Sequence, residues 1–360
     1  MINIGVDLHK TQFTVCIRHD GCEDFSEYRT NPLGYSAFLR CISRFVEPIR
    51  IGVESTGNTR YFKNCMEEAG HEVVTINTLK FKVVNESVKK TDKHDVATIA
   101  EFLEKDMLPE SRLCSQSSEE LRRLLKVRTT LVRTIVVVKN QIHALLTGLG
   151  MEDAKGSLQS KRGRQRVLAA LHDSPFGTHG LVAQPLFDTI EQLDASVNRI
   201  EEELDKLTEA DSVVELLKTI PGCGRISAWT IRAYTDDISR FATAKKYAAF
   251  SGMAPWVQNS NETIRHGKIT KRGPEELRTA YVQVVMGMRR YQKVTSSWRL
   301  MKRYDRLKAH KGSGRSIIAT ARKIAMIAWH MLTKNEPFNT ELMVDTKLIL
   351  TAEQMGNAVK

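Results

Sequence analysis

Between Leu121 and Leu207 the apolar residues of this chain return every three or four positions, and that spacing leaves few structures open to it. Leu121, Leu124, Leu131, Ile135, Val138, Ile142 and Leu145 form one series, interrupted only by Arg128. Leu186, Ile190, Leu193, Val197, Ile200, Leu204 and Leu207 form a second series without a break. A mean spacing of 3.5 residues sustained over about three heptads puts the apolar side chains along one stripe, which predicts two long helices with coiled-coil seams. The two are compatible with a single antiparallel hairpin or with pairing to another subunit. Between them, residues 155–166 are basic and contain glycine, the composition of an exposed connection, and residues 175–180 add further turn formers.

The first 110 residues carry a different pattern. Segments 2–6, 13–18, 49–53 and 72–76 are short, apolar and rich in β-branched residues, and segments 32–45 and 61–69 between them read as helices. Early strands followed by helix, strand, helix, strand and a further helix fit a ribonuclease-H-like sheet better than a doubly wound nucleotide fold, which alternates strictly. From about residue 212 the chain turns helical again. Residues 213–220 lead into Pro221-Gly222-Cys223-Gly224 and then 226–234, the layout of a helix–hairpin–helix, and a last helix is expected over 316–332. The fold class is therefore α/β plus all-α. Its expected divisions are an α/β domain at 1–110, a coiled-coil region at 111–208, a helical domain at 209–335 and a loose tail at 336–360, in keeping with a chain too long for one ordinary core.

Charge narrows the function. The formal net charge is +12, and between Asn261 and Lys323 stand 17 Lys and Arg against four acids, Glu262, Glu275, Glu276 and Asp305, so this one stretch supplies the whole excess. Clustered cations suit a polyanion, because each phosphate they neutralise releases condensed counterions. A solvated, solubility-giving face is the plainer reading of such a run. No segment approaches the roughly 18–20 apolar residues of a membrane span, and the start lacks the basic-then-apolar layout of a signal peptide. Six scattered cysteines without a Cys-x-x-Cys pair point to a reducing compartment, so a cytoplasmic protein is expected.

Four acids carry the chemistry. Asp7 ends the first apolar run in Gly5-Val-Asp-Leu-His-Lys10, and Glu54 ends Ile51-Gly-Val-Glu54. Asp92 and Asp95 stand three apart in Lys90-Thr-Asp-Lys-His-Asp95, at the start of an amphipathic helix, where positions i and i+3 share a face. Hard carboxylate oxygens suit Mg²⁺, and metal-assisted phosphoryl transfer needs such ions. Singly, each acid has an ordinary reading: Asp7 and Glu54 as strand ends at solvent, Asp92 as a helix N-cap. Together they form a constellation that favours metal binding. Lys10 and its neighbours His9, Lys93 and His94 read as phosphate contacts or solvated side chains. In the hairpin, Gly222 and Gly224 can bring backbone N–H groups close to a DNA phosphate, although a plain tight turn explains them equally well.

The segments Ile4-Gly-Val-Asp-Leu-His-Lys10, Gly52-Val-Glu-Ser-Thr-Gly57 and Lys90-Thr-Asp-Lys-His-Asp95 resemble the Asp-Glu-Asp-Asp motifs of the insertion-sequence transposase family named for insertion sequence one-ten, which includes the Piv-type pilin-gene invertases. Thr219-Ile-Pro-Gly-Cys-Gly224, Asp237-Ile-Ser-Arg-Phe241, Ala248-Ala-Phe-Ser-Gly-Met-Ala-Pro255 and Ile269-Thr-Lys-Arg-Gly273 with Leu277-Arg278 are similar to that family's second domain. The resemblance covers residues 2–108 and 212–330. It implies a RuvC-like domain holding Mg²⁺, with Mn²⁺ as a substitute, through Asp7, Glu54, Asp92 and Asp95. It also implies a serine nucleophile that forms a phosphoserine link to DNA, at Ser260 in Trp256-Val-Gln-Asn-Ser260, with Ser251 in reserve. The family follows this serine with glycine where this chain has Asn261. Arg265, Lys268, Lys271, Arg272 and Arg278 are the expected nucleic-acid contacts of that half. Implied partners are donor and target DNA, further copies of the chain in a dimer or tetramer, and a non-coding guide RNA from the mobile element or, in the invertase branch, an accessory protein.

Three rival readings stay open at the level of sequence. A RuvC-like junction nuclease would use the acids without Ser260, and a helix–hairpin–helix architectural protein would bind DNA without chemistry. An actin-like sugar kinase is suggested by Ile4-Gly-Val-Asp7, but no Gly-rich phosphate loop follows.

Overall fold

The strand Ile2–Leu8 (β1) is buried on both faces for nearly its whole length, the mark of a strand at the centre of a covered sheet. A computed structural model describes residues 1–78, 80–81, 91–151, 157–173, 178–260 and 263–344 and divides the chain into two units, Met1–Cys114 and Ser115–Lys360. In the first unit, β1 is joined by Gln12–His19 (β2), Cys22–Arg29 (β3), Ile49–Glu54 (β4) and Glu72–Ile76 (β5) in the order β3-β2-β1-β4-β5. The pairs β1–β2 and β2–β3 are antiparallel, and β1–β4 and β4–β5 are parallel. The result is the mixed five-stranded, ribonuclease-H-like sheet expected from the sequence, with one strand more than the apolar runs announce. That strand, β3, lies at the sheet's edge and is mostly exposed and charged, so it has no buried face to pattern it. Its signal is the Asp20-Gly21 turn, where both residues have positive φ, as a two-residue hairpin requires.

Strand alternation sorts the side chains of β1 between two layers. Ile2, Ile4, Val6 and Leu8 pack with Phe13 of β2, with Phe38 and Ile42 of Pro32–Ile42 (α1) and with Phe62 and Met66 of Thr59–Glu68 (α2). Asn3, Gly5 and Asp7 face the other way, toward Asp92–Glu104 (α3), whose Val96, Ile99, Ala100 and Leu103 are buried.

In the second unit the heptads form Gln116–Gly148 (α4) and Thr178–Thr208 (α6), packed antiparallel within one chain. Leu121 and Leu125 near the start of α4 share a core with Leu204 near the end of α6, and Ile135, Val138 and Ile142 share another with Ala183, Phe187 and Ile190. Arg128, the break in the first apolar series, pairs with Glu201 across this seam at 2.7 Å. Glu201 is only 9% exposed, so the pair meets the rule that a buried charge needs a partner. One expectation is corrected here. Much of 155–166 is not a connection but part of a helix, Lys161–His172 (α5), whose Arg164 reaches Asp194 of α6 at 2.9 Å and whose Leu171 is buried. Likewise Gly180, read as a turn former, lies within α6.

Ser212–Lys218 (α7), Arg225–Thr235 (α8), Ala244–Phe250 (α9), Glu275–Arg290 (α10), Gln292–Thr295 (α11), Arg299–Lys311 (α12) and Ser313–Lys334 (α13) complete the unit. Their core holds Trp229, Tyr247, Tyr281 and Tyr304; Trp229 Nε1 donates to Thr208 Oγ1 at 2.8 Å and the Tyr247 and Tyr281 hydroxyls meet at 2.7 Å, whereas the buried Tyr304 hydroxyl has no hydrogen-bond partner among the described residues. Two features depart from the all-helical reading. Pro255–Ser260 (β6) and Thr263–Ile269 (β7) form an antiparallel hairpin inside the domain expected to be helical. The expected loose tail is docked at its start, where Phe338 is buried against Trp298 and its N–H donates to Thr219 Oγ1 at 2.9 Å. No helix among the described residues is long and apolar enough to cross a membrane.

Candidate active site

Two glycines set the geometry of the site. Gly5 of β1 and Gly52 of β4 are directly paired, and each stands two residues before an acid, Asp7 and Glu54. Residues i and i+2 of a strand share a face, so both glycines and both acids belong to the side covered by α3. A Cβ on Gly5 would collide with the Val96 carbonyl oxygen, and one on Gly52 would lie 2.8 Å from Ile99 Cγ2. The missing side chains form a trough in which α3 lies directly on the strands, with Asp92 and Asp95 in its first turn near Asp7 at the end of β1. Gly5→Ala is therefore expected to destabilise the protein by about 3 kcal/mol, since backbone cannot yield as a side chain does. Chemical denaturation checks this, and a change below about 0.5 kcal/mol would contradict the trough.

Asp7, His9 and Asp92 present ligand atoms that all lie within 4.8 Å of one another. His9 Nε2 stands 3.1 Å from Asp7 Oδ2 and 3.7 Å from Asp92 Oδ2. Burial pushes the Asp7 carboxyl above its ordinary pKa; His9 opposes the shift, and the charges of Asp92 and Asp95 add to it. The charges of Asp92 and Asp95 thus bear on Asp7 at the end of the strand, and a divalent cation would relieve that repulsion. Oxygen donors with one imidazole at the rim fit a hard divalent ion. Glu54 and Asp7 each stand one residue beyond the last β1–β4 pair, Val6 with Val53, but Glu54 is not in the tight group of three. Asp92 is not the helix N-cap: Thr91 is, accepting from the His94 N–H at 3.3 Å, which leaves the Asp92 carboxylate outside the capping role. His9 was read from sequence as a phosphate contact or a solvated side chain. The Asp7-x-His9 spacing, which returns to the same side of the chain, was the available sign of its place beside the acids.

The residues singled out in the other half fall in the second unit. Ser260 is the last residue of β6, in register with Thr263, and Arg265 lies in β7 opposite Gln258. Ser251 is wholly buried, and its hydroxyl donates to the Ala248 carbonyl at 2.7 Å, a packing residue at a helix end. After β7 comes a constrained loop. Thr270 N–H donates to Ala254 O at 2.9 Å and Lys271 N–H to Gly252 O at 3.1 Å, while Lys271 itself has φ +53°. A lysine there costs roughly 1 kcal/mol and is held by its surroundings. Lys268, Lys271 and Arg272 are exposed, whereas Arg278 is partly buried, with Nη1 sealed from solvent. In the hairpin between α7 and α8, Gly222 has φ +85° and a Cβ there would lie 2.5 Å from Met288 N, so close packing on α10 already accounts for it. Gly224 caps α8 and meets no such constraint.

Comparison with known proteins agrees with this layout. A transposase profile of the Asp-Glu-Asp-Asp type matches residues 4–151, and the profile of the transposase IS116/IS110/IS902 family matches residues 214–299. The chain is 26% identical over 341 residues to the transposase for insertion sequence element IS1328 of Yersinia enterocolitica, covering 93% of this chain and 98% of that protein. It is 25% identical over 347 residues to the transposase for IS1111A of Coxiella burnetii, covering 93% and 90%. It is also 25% identical over 352 residues to the pilin gene-inverting protein of Moraxella bovis, covering 94% and 98%. With both profiles in order along one chain and relatives matched nearly end to end, this protein belongs to the IS116/IS110/IS902 family of transposases.

Proposed function

We infer that this transposase cuts and rejoins DNA through a metal-dependent carboxylate site and a serine that becomes covalently linked to the strand. The observation that carries the reading is the meeting of Asp7, from the end of β1, with Asp92, from the first turn of α3. Asp7, Glu54, Asp92 and Asp95 would hold Mg²⁺, or Mn²⁺ in its place, with His9 at the rim. Such an ion, when bound, neutralises charge on the phosphate and favours the attacking oxygen. Ser260 is assigned as the nucleophile. As its Oγ forms a bond to phosphorus, the bond to the departing sugar oxygen breaks; the serine gives up its proton and the sugar oxygen takes one up. The phosphoserine retains the bond energy needed to rejoin the strand. The burial of Ser251 and its bond to Ala248 support Ser260 over it. Lys271 and Arg272, on a loop held by backbone hydrogen bonds, add fixed positive charge for the phosphate.

Donor and target DNA are the substrates in this reading, and Lys10, Gly224, Arg265 and Lys268 are further backbone contacts. Relatives named for insertion sequences and for inverting a pilin gene support DNA rearrangement as the reaction. Pairing two DNA partners calls for at least two copies of the chain. A guide RNA from the element is the proposed source of sequence choice, since aromatic residues are few and no protein code for bases is legible. Strand cutting of a duplex carrying the element's end is expected with Mg²⁺ or Mn²⁺ and is lost on chelation. Asp92→Asn should lose cutting and keep DNA binding. Undiminished cutting in chelator, or in Asp92→Asn, would overturn the carboxylate site.

A further inference from the structure

Beside the acidic group the first unit has a groove of about 690 Å³ that the chemistry described so far does not use. Its walls come from the turn after β1, the start of α1 and the start of α2, and they include His9, Lys10, Thr30, Asn31, Asn58 and Tyr61. His9 belongs both to this groove and to the group with Asp7 and Asp92, so the two are continuous. The groove is built rather than incidental. The His9 carbonyl accepts from Thr30 Oγ1 at 2.9 Å and from Asn58 Nδ2 at 3.1 Å, tying the three segments together. Asn58 Oδ1 in turn accepts from Thr56 Oγ1 at 2.9 Å.

Its chemistry is that of a nucleotide site. Tyr61 is 53% exposed, with its ring 5.6 Å from that of Tyr35, which is buried at 4% exposure. The two rings meet at a tilt of 47°, so the buried Tyr35 braces Tyr61, and the exposed part of the Tyr61 ring is open to stacking. Lys10 is exposed and makes no ion pair among the described residues, so its charge is available to a phosphate. The remaining walls are neutral and in large part apolar, with Leu8, Pro32 and Tyr35 beside Thr30, Asn31 and Asn58. The volume falls in the range of small-ligand pockets, about 300–1,000 Å³, too small for a base pair with both its backbones.

We propose that this groove takes one unpaired nucleotide of the DNA strand being cut, its base stacked on Tyr61 and its phosphate against Lys10, next to the phosphate that a cation on Asp7 and Asp92 would hold. The placement rests on the reading that those acids are the cutting site. Stacking on Tyr61 accepts any base, because every base has a π-face, so the groove positions the strand and leaves sequence choice to other parts of the assembly.

The test uses the full chain and short single-stranded DNA carrying 2-aminopurine, with binding and quenching read by fluorescence in calcium. Tyr61→Ala is expected to weaken binding about 5- to 100-fold and to abolish quenching, while Tyr61→Phe stays within about twofold of the parent. Lys10→Gln should lower the slope of binding against salt by about one and keep the quenching. Because Tyr61 is exposed, an unchanged melting temperature is expected in each variant. Binding and quenching unchanged in Tyr61→Ala would overturn the groove, whatever Asp7→Asn does to cutting. Conversely, a Tyr61 effect beside undiminished cutting in Asp7→Asn would refute the carboxylate site and leave the groove as a nucleotide-binding cleft. A larger loss with the matching RNA oligonucleotide than with DNA would overturn the assignment to the cut strand.

Discussion

Asp7→Asn is expected to lower DNA cutting by at least about 100-fold while raising the melting temperature of the ion-free protein. The loss follows from removing a charged donor at the centre of the group, where even an outer partner of a metal ligand is worth about 10- to 100-fold. The gain follows from the pKa of Asp7, which burial and the charges of Asp92 and Asp95 hold above its ordinary value. As pH rises from the ordinary value to the raised one, the unfolded chain gives up this proton first, and stability falls. Above the raised value the penalty is complete, so at neutral pH the carboxylate works against folding until a cation joins it. An amide of the same shape escapes that penalty. Thermal unfolding in chelator across this pH window measures it: the difference between parent and variant should shrink as pH falls below the ordinary carboxylate range. A variant that cuts normally, or one that melts below the parent at neutral pH without ions, would contradict the account.

Ser260→Ala should remove the covalent protein–DNA species and reduce rejoined product by at least about 10³-fold, the scale on which loss of a nucleophile is felt. Ser260 is the last residue of β6, and the change to alanine removes a single hydroxyl oxygen, so the fold should persist. Denaturing electrophoresis of the protein after reaction with labelled DNA reads the adduct directly. Persistence of the adduct in Ser260→Ala would take that residue out of the mechanism. Free cut ends without any adduct in the parent protein would favour a plain metal nuclease that uses water.

Much of this arrangement was legible in the residues, for reasons that differ from one element to the next. Buried strands and long heptads announce themselves because one face meets the core and repeats at a fixed period; hence β1, β4, β5, α4 and α6. The antiparallel pairing of α4 with α6 was not legible, since a heptad seam is the same whichever helix fills it. Arg128 breaks one series and Glu201 is the acid that answers it, a match visible only once the register is known. The edge strand β3 lacks a buried face and so lacks alternation. Residues 161–172 are basic and look solvated, yet one side of that helix meets α6 through Arg164 and Leu171. At the site, the acids stand out because charge at the end of an apolar strand is conspicuous. Gly5 and Gly52 do not, because the reason for a glycine is the helix lying on it. His9 and the groove beyond it depend on the turn after β1 folding back toward Thr30 and Asn58, contacts 21 and 49 residues apart in sequence.

Carboxylates from β1 and α3 that grip a divalent ion at the reacting phosphate should also bind it in the free protein. Calorimetric titration of Mn²⁺ into the full-length protein at neutral pH tests it without DNA or turnover. The parent should bind, and both Asp7→Asn and Asp92→Asn should weaken that binding by at least about tenfold. Equal affinity in the parent and in both variants would contradict it.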